Sequence, residues 1–142
     1  MSRTYDARVE SLWAAWTDAE AFASWYGPYG SIIRDCSLDT RPGGRMRFWH
    51  LVPGLPDQWV DGEYEEVLER ELIQVALRPQ DLEQGVEPWT VRVIVRFASE
   101  GSQTRMAVRH AGLRGHDEES RWWAESLDRL GEYLASGDSG AR

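Results

Sequence analysis

Two histidines sit where acid–base chemistry could be done. In "RMRFWHLV" (45–52) the alternation places Met46, Phe48 and His50 on one side of an extended segment, with Arg45, Arg47, Trp49 and Leu51 on the other. In "TRMAVRHAG" (104–112) Thr104, Met106, Val108 and His110 share a side in the same way. Both imidazoles therefore have the phase of apolar, inward-facing residues. An imidazole titrates near neutrality, so His50 or His110 could serve as a general acid or base. The plainer alternative is that both lie at strand ends, wetted and idle.

The rest of the chain offers little conventional chemistry. The third histidine, His116, reads as an exposed residue of the loop before the last helix. His50, His110 and His116 lack metal-ligand spacing, so no metal is expected. The one cysteine, Cys36, excludes an internal disulfide and reads as a small buried apolar residue. No phosphate-binding glycine loop, dinucleotide fingerprint or nucleophile elbow is present, so no cofactor is implied. Asp61 and Glu63 alternate around Gly62 and should face solvent. Asp128 and Arg129 read as a surface pair.

The histidines must be held by a scaffold of strands and helices. Val9, Leu12, Trp13 and Trp16 recur at helical spacing, with Asp6 as the expected N-cap. Thr17 and Glu20 form a capping-box pattern for a second short helix, whose apolar face is Phe22, Trp25 and Tyr26 and which Gly27-Pro28 ends. About six strands follow, over 31–40, 45–52, 58–69, 71–79, 89–97 and 104–112. Gly62 signals a bulge or a close approach. A helix of about 20 residues closes the chain, with Trp123, Leu127, Leu130 and Leu134 as its apolar stripe. Residues 137–142 read as a disordered tail, leaving one domain over 1–136. Only Met1–Tyr5 precede the first helix, so a first edge strand is either very short or begins upstream of this sequence. A one-sided antiparallel sheet needs a cover, and the last helix is the only large apolar element available. The fold class is α+β, a curved sheet gripping one helix.

Composition narrows the partners. The 142 residues carry a net charge of −8, which argues against nucleic acid, and no apolar run is long enough for membrane insertion. A cytoplasmic protein is expected. All 16 basic residues are arginine.

Several motifs, in order, resemble the START-like (SRPBCC) superfamily, whose helix-grip fold is that of the birch-pollen allergen. They are Val9-x-x-x-Trp13-x-x-Trp16-Thr17-Asp18, Trp25-Tyr26-Gly27-Pro28, Arg41-Pro42-Gly43-Gly44, Gly62-x-Tyr64-x-Glu66-Val67 and Trp123-x-x-x-Leu127-Asp128-x-Leu130. Within the superfamily the chain resembles homologues of the heat-shock-protein-90 ATPase activator. It departs from that branch at Arg8, often proline there, at Tyr26, where a second tryptophan is usual, and at Trp122, where glycine is common.

The resemblance implies a cavity between sheet and long helix. Its expected wall is Trp25 from the second helix, Met46, Phe48 and Tyr64 from the central strands, and Val91, Val93, Met106 and Val108 from the later ones. Trp123 and Leu127 of the long helix complete it, and Trp122 is expected to narrow one end. The expected function is binding of a small hydrophobic or aromatic molecule without catalysis. Two other readings stand beside it: a polyketide cyclase, aromatase or dehydratase using His50 or His110, and a protein-binding module like the chaperone activator, which the sequence does not specifically indicate.

Overall fold

The computed structural model describes residues 1–81, 91–111 and 116–140. Its elements run β1 (Ser2–Tyr5), α1 (Val9–Thr17), α2 (Ala19–Trp25), β2 (Ile32–Leu38), β3 (Arg45–Leu51), β4 (Gln58–Leu68), β5 (Leu72–Asp81), β6 (Val91–Glu100), β7 (Gln103–Ala111) and α3 (His116–Gly140). One antiparallel sheet has the order β1-β7-β6-β5-β4-β3-β2. The sheet has the expected strands, about six, and a seventh, the very short first edge strand. Residues Ser2–Tyr5 pair with Ala107–Thr104 of β7, a strand too short to show alternation.

The concave face and the helices form one core. Met46, Phe48, Val60, Tyr64, Val75, Val93, Val95, Met106 and Val108 are buried with Trp16, Phe22 and Trp25, and Trp123, Leu127, Leu130 and Leu134 of α3 join them. Phe97 of β6 meets Trp13 of α1 edge-on, with ring centroids 5.6 Å apart. Trp16 links three layers: its indole stacks on Trp123 at 6.3 Å, and its Nε1 donates to the Met106 sulfur at 3.2 Å.

Local details differ from the sequence reading. Arg8, not Asp6, is the N-cap of α1, through its carbonyl alone. Asp18, not Thr17, caps α2, its carboxylate accepting from the Ala21 amide. Thr17 instead donates to the Trp13 carbonyl. Gly62 marks a close approach: a Cβ there would lie 2.8 Å from Leu77, while the β4 register shift falls between Tyr64 and Glu66. The helix α3 starts at His116, so that residue is helical, and it continues to Gly140 into the expected tail; 141–142 lie outside the described residues.

The convex face is polar and rich in arginine. Register places Arg47, Asp61 and Arg78 in one row across β3, β4 and β5. On β6 and β7 each arginine opposes a small or apolar residue: Arg92 faces Ala111, Arg109 faces Ile94, Arg96 faces Ala107 and Arg105 faces Ala98.

Candidate functional site

The site is built where the end of α2, strand β3 and the first half of α3 meet. Trp25 ends α2, and Tyr26-Gly27-Pro28 turns the chain toward β2. Gly27 has φ of +102°, a conformation that suits glycine. A Cβ on Gly27 would lie 2.5 Å from both His50 Nε2 and Ser31 Oγ, so the turn is pressed directly against the imidazole.

Arg129 fixes that turn from α3. Its Nη1 donates to the carbonyls of Gly27 at 3.0 Å and Pro28 at 3.1 Å, and to Ser31 Oγ at 3.1 Å. Its Nη2 donates to the Ser24 carbonyl at 3.1 Å. The guanidinium thus satisfies carbonyls that the end of α2 leaves open. Reading Arg129 as half of a surface pair with Asp128 is corrected: Asp128 pairs with Arg3 of β1. Ser126 adds a second tie, accepting from the Gly27 amide at 3.1 Å.

His50 is 4% exposed and packs among rings, with Tyr26 at 5.9 Å, Phe48 at 5.7 Å and Trp122 at 6.2 Å between centroids. Its Nε2 is buried and has no hydrogen-bond partner among the described residues. Burial first, and then the positive charge of Arg129, hold its pKa down at about 4. The alternative of a wetted strand-end residue does not hold for His50. Tyr26 is 4% exposed, and its hydroxyl likewise makes no hydrogen bond among the described residues. Burial pushes its pKa far above the usual phenol range.

His110 is built differently. Its Nδ1 accepts a hydrogen bond from Trp123 Nε1 at 2.6 Å, which requires an unprotonated Nδ1 and leaves the proton of the neutral ring on Nε2. Burial holds its pKa at about 4 as well.

The structure brings some of the expected wall residues together and separates others. Phe48, Trp122 and Trp123 surround Tyr26, at 5.8, 5.0 and 5.9 Å. Met46, Tyr64, Val91, Val93, Met106, Val108 and Leu127 are all buried in the common core. Tyr64 is tied at the far end of β4, accepting from Thr40 Oγ1 at 3.3 Å. Trp25 does not stand at an opening. It is fully buried, meets Trp16 at 4.9 Å, and donates its indole N–H to the Ala15 carbonyl of α1 at 2.9 Å. Trp122 is half-buried and covers the edge of Tyr26.

Two participants escaped the sequence reading. Tyr26 was legible only as an apolar ring, although a hydroxyl where relatives carry an indole was a signal. Arg129 gave no signal, because its partners lie about a hundred residues away in the chain. Among the described residues no group of three or more His, Cys, Asp or Glu side chains is placed to hold a metal, and no helix is long and apolar enough to cross a membrane.

Residues 6–135 match the family described as Activator of Hsp90 ATPase homolog 1-like protein. No functionally curated protein matches the chain. Protein CV1439 from Chromobacterium violaceum superposes with a TM-score of 0.80 at 20% identity, covering 93% of each chain. Protein NE0264 from Nitrosomonas europaea gives 0.79 at 21% identity, covering 98% of this chain and 94% of that one. DynU16, a protein of the dynemicin biosynthetic locus, gives 0.70 at 21% identity; 96% of this chain matches 46% of DynU16. The structural likenesses carry the fold, and the match over nearly all of the chain carries the family: this is a START-like, helix-grip protein belonging to the Activator of Hsp90 ATPase homolog 1-like family.

Proposed function

We propose that the protein binds a small, uncharged aromatic molecule bearing one hydrogen-bonding substituent, held between the concave sheet and α3 beside Tyr26, His50 and Trp122. The observation that carries this reading is His50 Nε2, a buried polar atom with no hydrogen-bond partner among the described residues, inside an aromatic shell and beside the ring of Tyr26, whose hydroxyl is also unbonded among them. A buried unsatisfied group costs about 1–3 kcal/mol, so its retention calls for a compensating partner. The surrounding rings suit a flat apolar body, and the polar pair suits a hydroxyl or carbonyl on it. An anionic ligand is disfavoured, because the guanidinium of Arg129 is already engaged with Ser24, Gly27, Pro28 and Ser31.

Binding is favoured over catalysis. An imidazole with a pKa of about 4 is neutral at pH 7 but a weak base, some distance from the value that general-base catalysis favours. The same holds for His110, whose Nδ1 is occupied by Trp123.

The test titrates the protein with 2-naphthol, naphthalene and 2-naphthoate, following the fluorescence of its eight tryptophans. Naphthol should bind most tightly and naphthoate least. Tyr26→Phe should weaken naphthol about fivefold, the worth of one hydrogen bond, and leave naphthalene unchanged. No binding of any probe, or naphthoate binding as well as naphthol, would overturn the reading.

A further inference from the structure

The convex side of the sheet carries a charge pattern that the interior site does not use. Asp61 pairs with both Arg45 and Arg47, one carboxylate shared by two guanidiniums, and Glu65 pairs with Arg92. Arg34, Arg78, Arg96, Arg105 and Arg109 are exposed and form no ion pair among the described residues. Register sets Arg96 diagonally between Arg105 and Arg109, at about 7–8 Å in a sheet of this kind. Like charges left unneutralised at that spacing oppose folding, whereas an anionic partner turns them into an attraction.

The other end of the same face is apolar. Trp49 and Trp59 pair across β3 and β4 at 5.3 Å. Ile32, opposite Leu51, is 49% exposed, and Leu55 in the adjoining loop is 58% exposed. From β2 to β7 the face spans five strand spacings, about 24 Å, the length of roughly seven extended residues.

We infer that the convex face docks an acidic segment of a partner protein, with aliphatic or aromatic side chains anchoring on Ile32, Trp49 and Trp59 and carboxylates meeting Arg96, Arg105 and Arg109. A protein segment fits better than nucleic acid for two reasons. The apolar end includes aliphatic side chains that stack no bases, and Trp49 and Trp59 lie tilted against each other rather than as open platforms. The net charge of −8 does not forbid the contact. Glu125, Asp128 and Glu132 of α3 lie behind the sheet, about 10 Å or more away, beyond the ~8 Å screening length of physiological salt.

Fluorescence anisotropy tests this with a short labelled peptide, Leu- and Phe-rich at one end and Glu-rich at the other, alongside an oligouridylate of similar length. The peptide should bind, and more weakly as salt rises. Arg96→Glu combined with Arg109→Glu should weaken it at least about tenfold, as should Trp59→Ala, with the charge-reversal variant melting no lower than the parent because both arginines are exposed and the change relieves like-charge contacts with Arg105. Absence of peptide binding, indifference to the charge reversal, or tighter binding of the oligouridylate would each overturn the inference, the last in favour of a nucleic-acid surface.

Discussion

Gly27 is the residue on which the corner of the site depends. A side chain there meets two obstacles at once, a positive φ and the His50 and Ser31 atoms 2.5 Å away. Gly27→Ala should cost about 2–4 kcal/mol, combining a left-handed backbone penalty with overpacking. Urea denaturation would check this, and a midpoint unchanged from the parent would show that the corner relaxes freely. Trp16 is the opposite case, a ring whose value is its volume. Fully enclosed by Phe22, Trp25, Tyr26 and Trp123, it should cost about 3–5 kcal/mol on replacement by alanine. At Trp122 the expected change is in binding. Trp122→Gly uncovers the edge of Tyr26, so aromatics bulkier than naphthol should bind more tightly, even though glycine costs α3 about 1 kcal/mol. Equal affinity for bulky probes in parent and variant would reduce Trp122 to packing.

Among the elements, the joint between α2 and α3 is the most specific. It rests on one guanidinium reaching several carbonyls in a planar fork, which a lysine ammonium cannot reproduce. Arg129→Leu should therefore destabilise by about 2–4 kcal/mol, and Arg129→Lys should recover only part of that loss in thermal melting. The elements themselves differ in how far the sequence discloses them. β3, β6 and β7 alternate cleanly and were legible, as was the stripe of α3. β1 was not, because four residues carry too little periodicity to outweigh a nearby helix signal. The cap of α2 fell beside the residue that composition favoured, since Asp18 competes locally with Thr17 for the same amides, and that of α1 fell two residues beyond Asp6, at Arg8. The phase of His50 and His110 followed from alternation alone. What surrounds each ring nitrogen did not, because Gly27 and Arg129 near His50, and Trp123 bonded to His110, belong to elements remote in the chain.

For the whole molecule, two neutral imidazoles, His50 buried and His110 half-buried, couple stability to acidity. Unfolded histidine titrates near 6.5, while His50 and His110 do so at about 4 in the fold. Between those values the unfolded chain binds protons that the folded chain does not, so stability falls as pH drops from 6.5 toward 4. His50 can contribute up to about 3 kcal/mol over that window, and the less buried His110 less. Urea midpoints at pH 7 and pH 5 should differ clearly in the parent and much less in a His50→Phe, His110→Gln variant; a parent insensitive across this range would contradict the buried, neutral assignment. The sheet also ends openly on both sides, and its margins have a consequence for handling the protein. One margin is the four-residue β1. The other, β2, breaks register between Arg34 and Ser37 around Asp35, which has a φ of 52°. Neither presents a long straight ladder of free amides and carbonyls, so neighbouring molecules find no template on which to zip together into fibrils, and concentrated solutions should resist that route to insolubility.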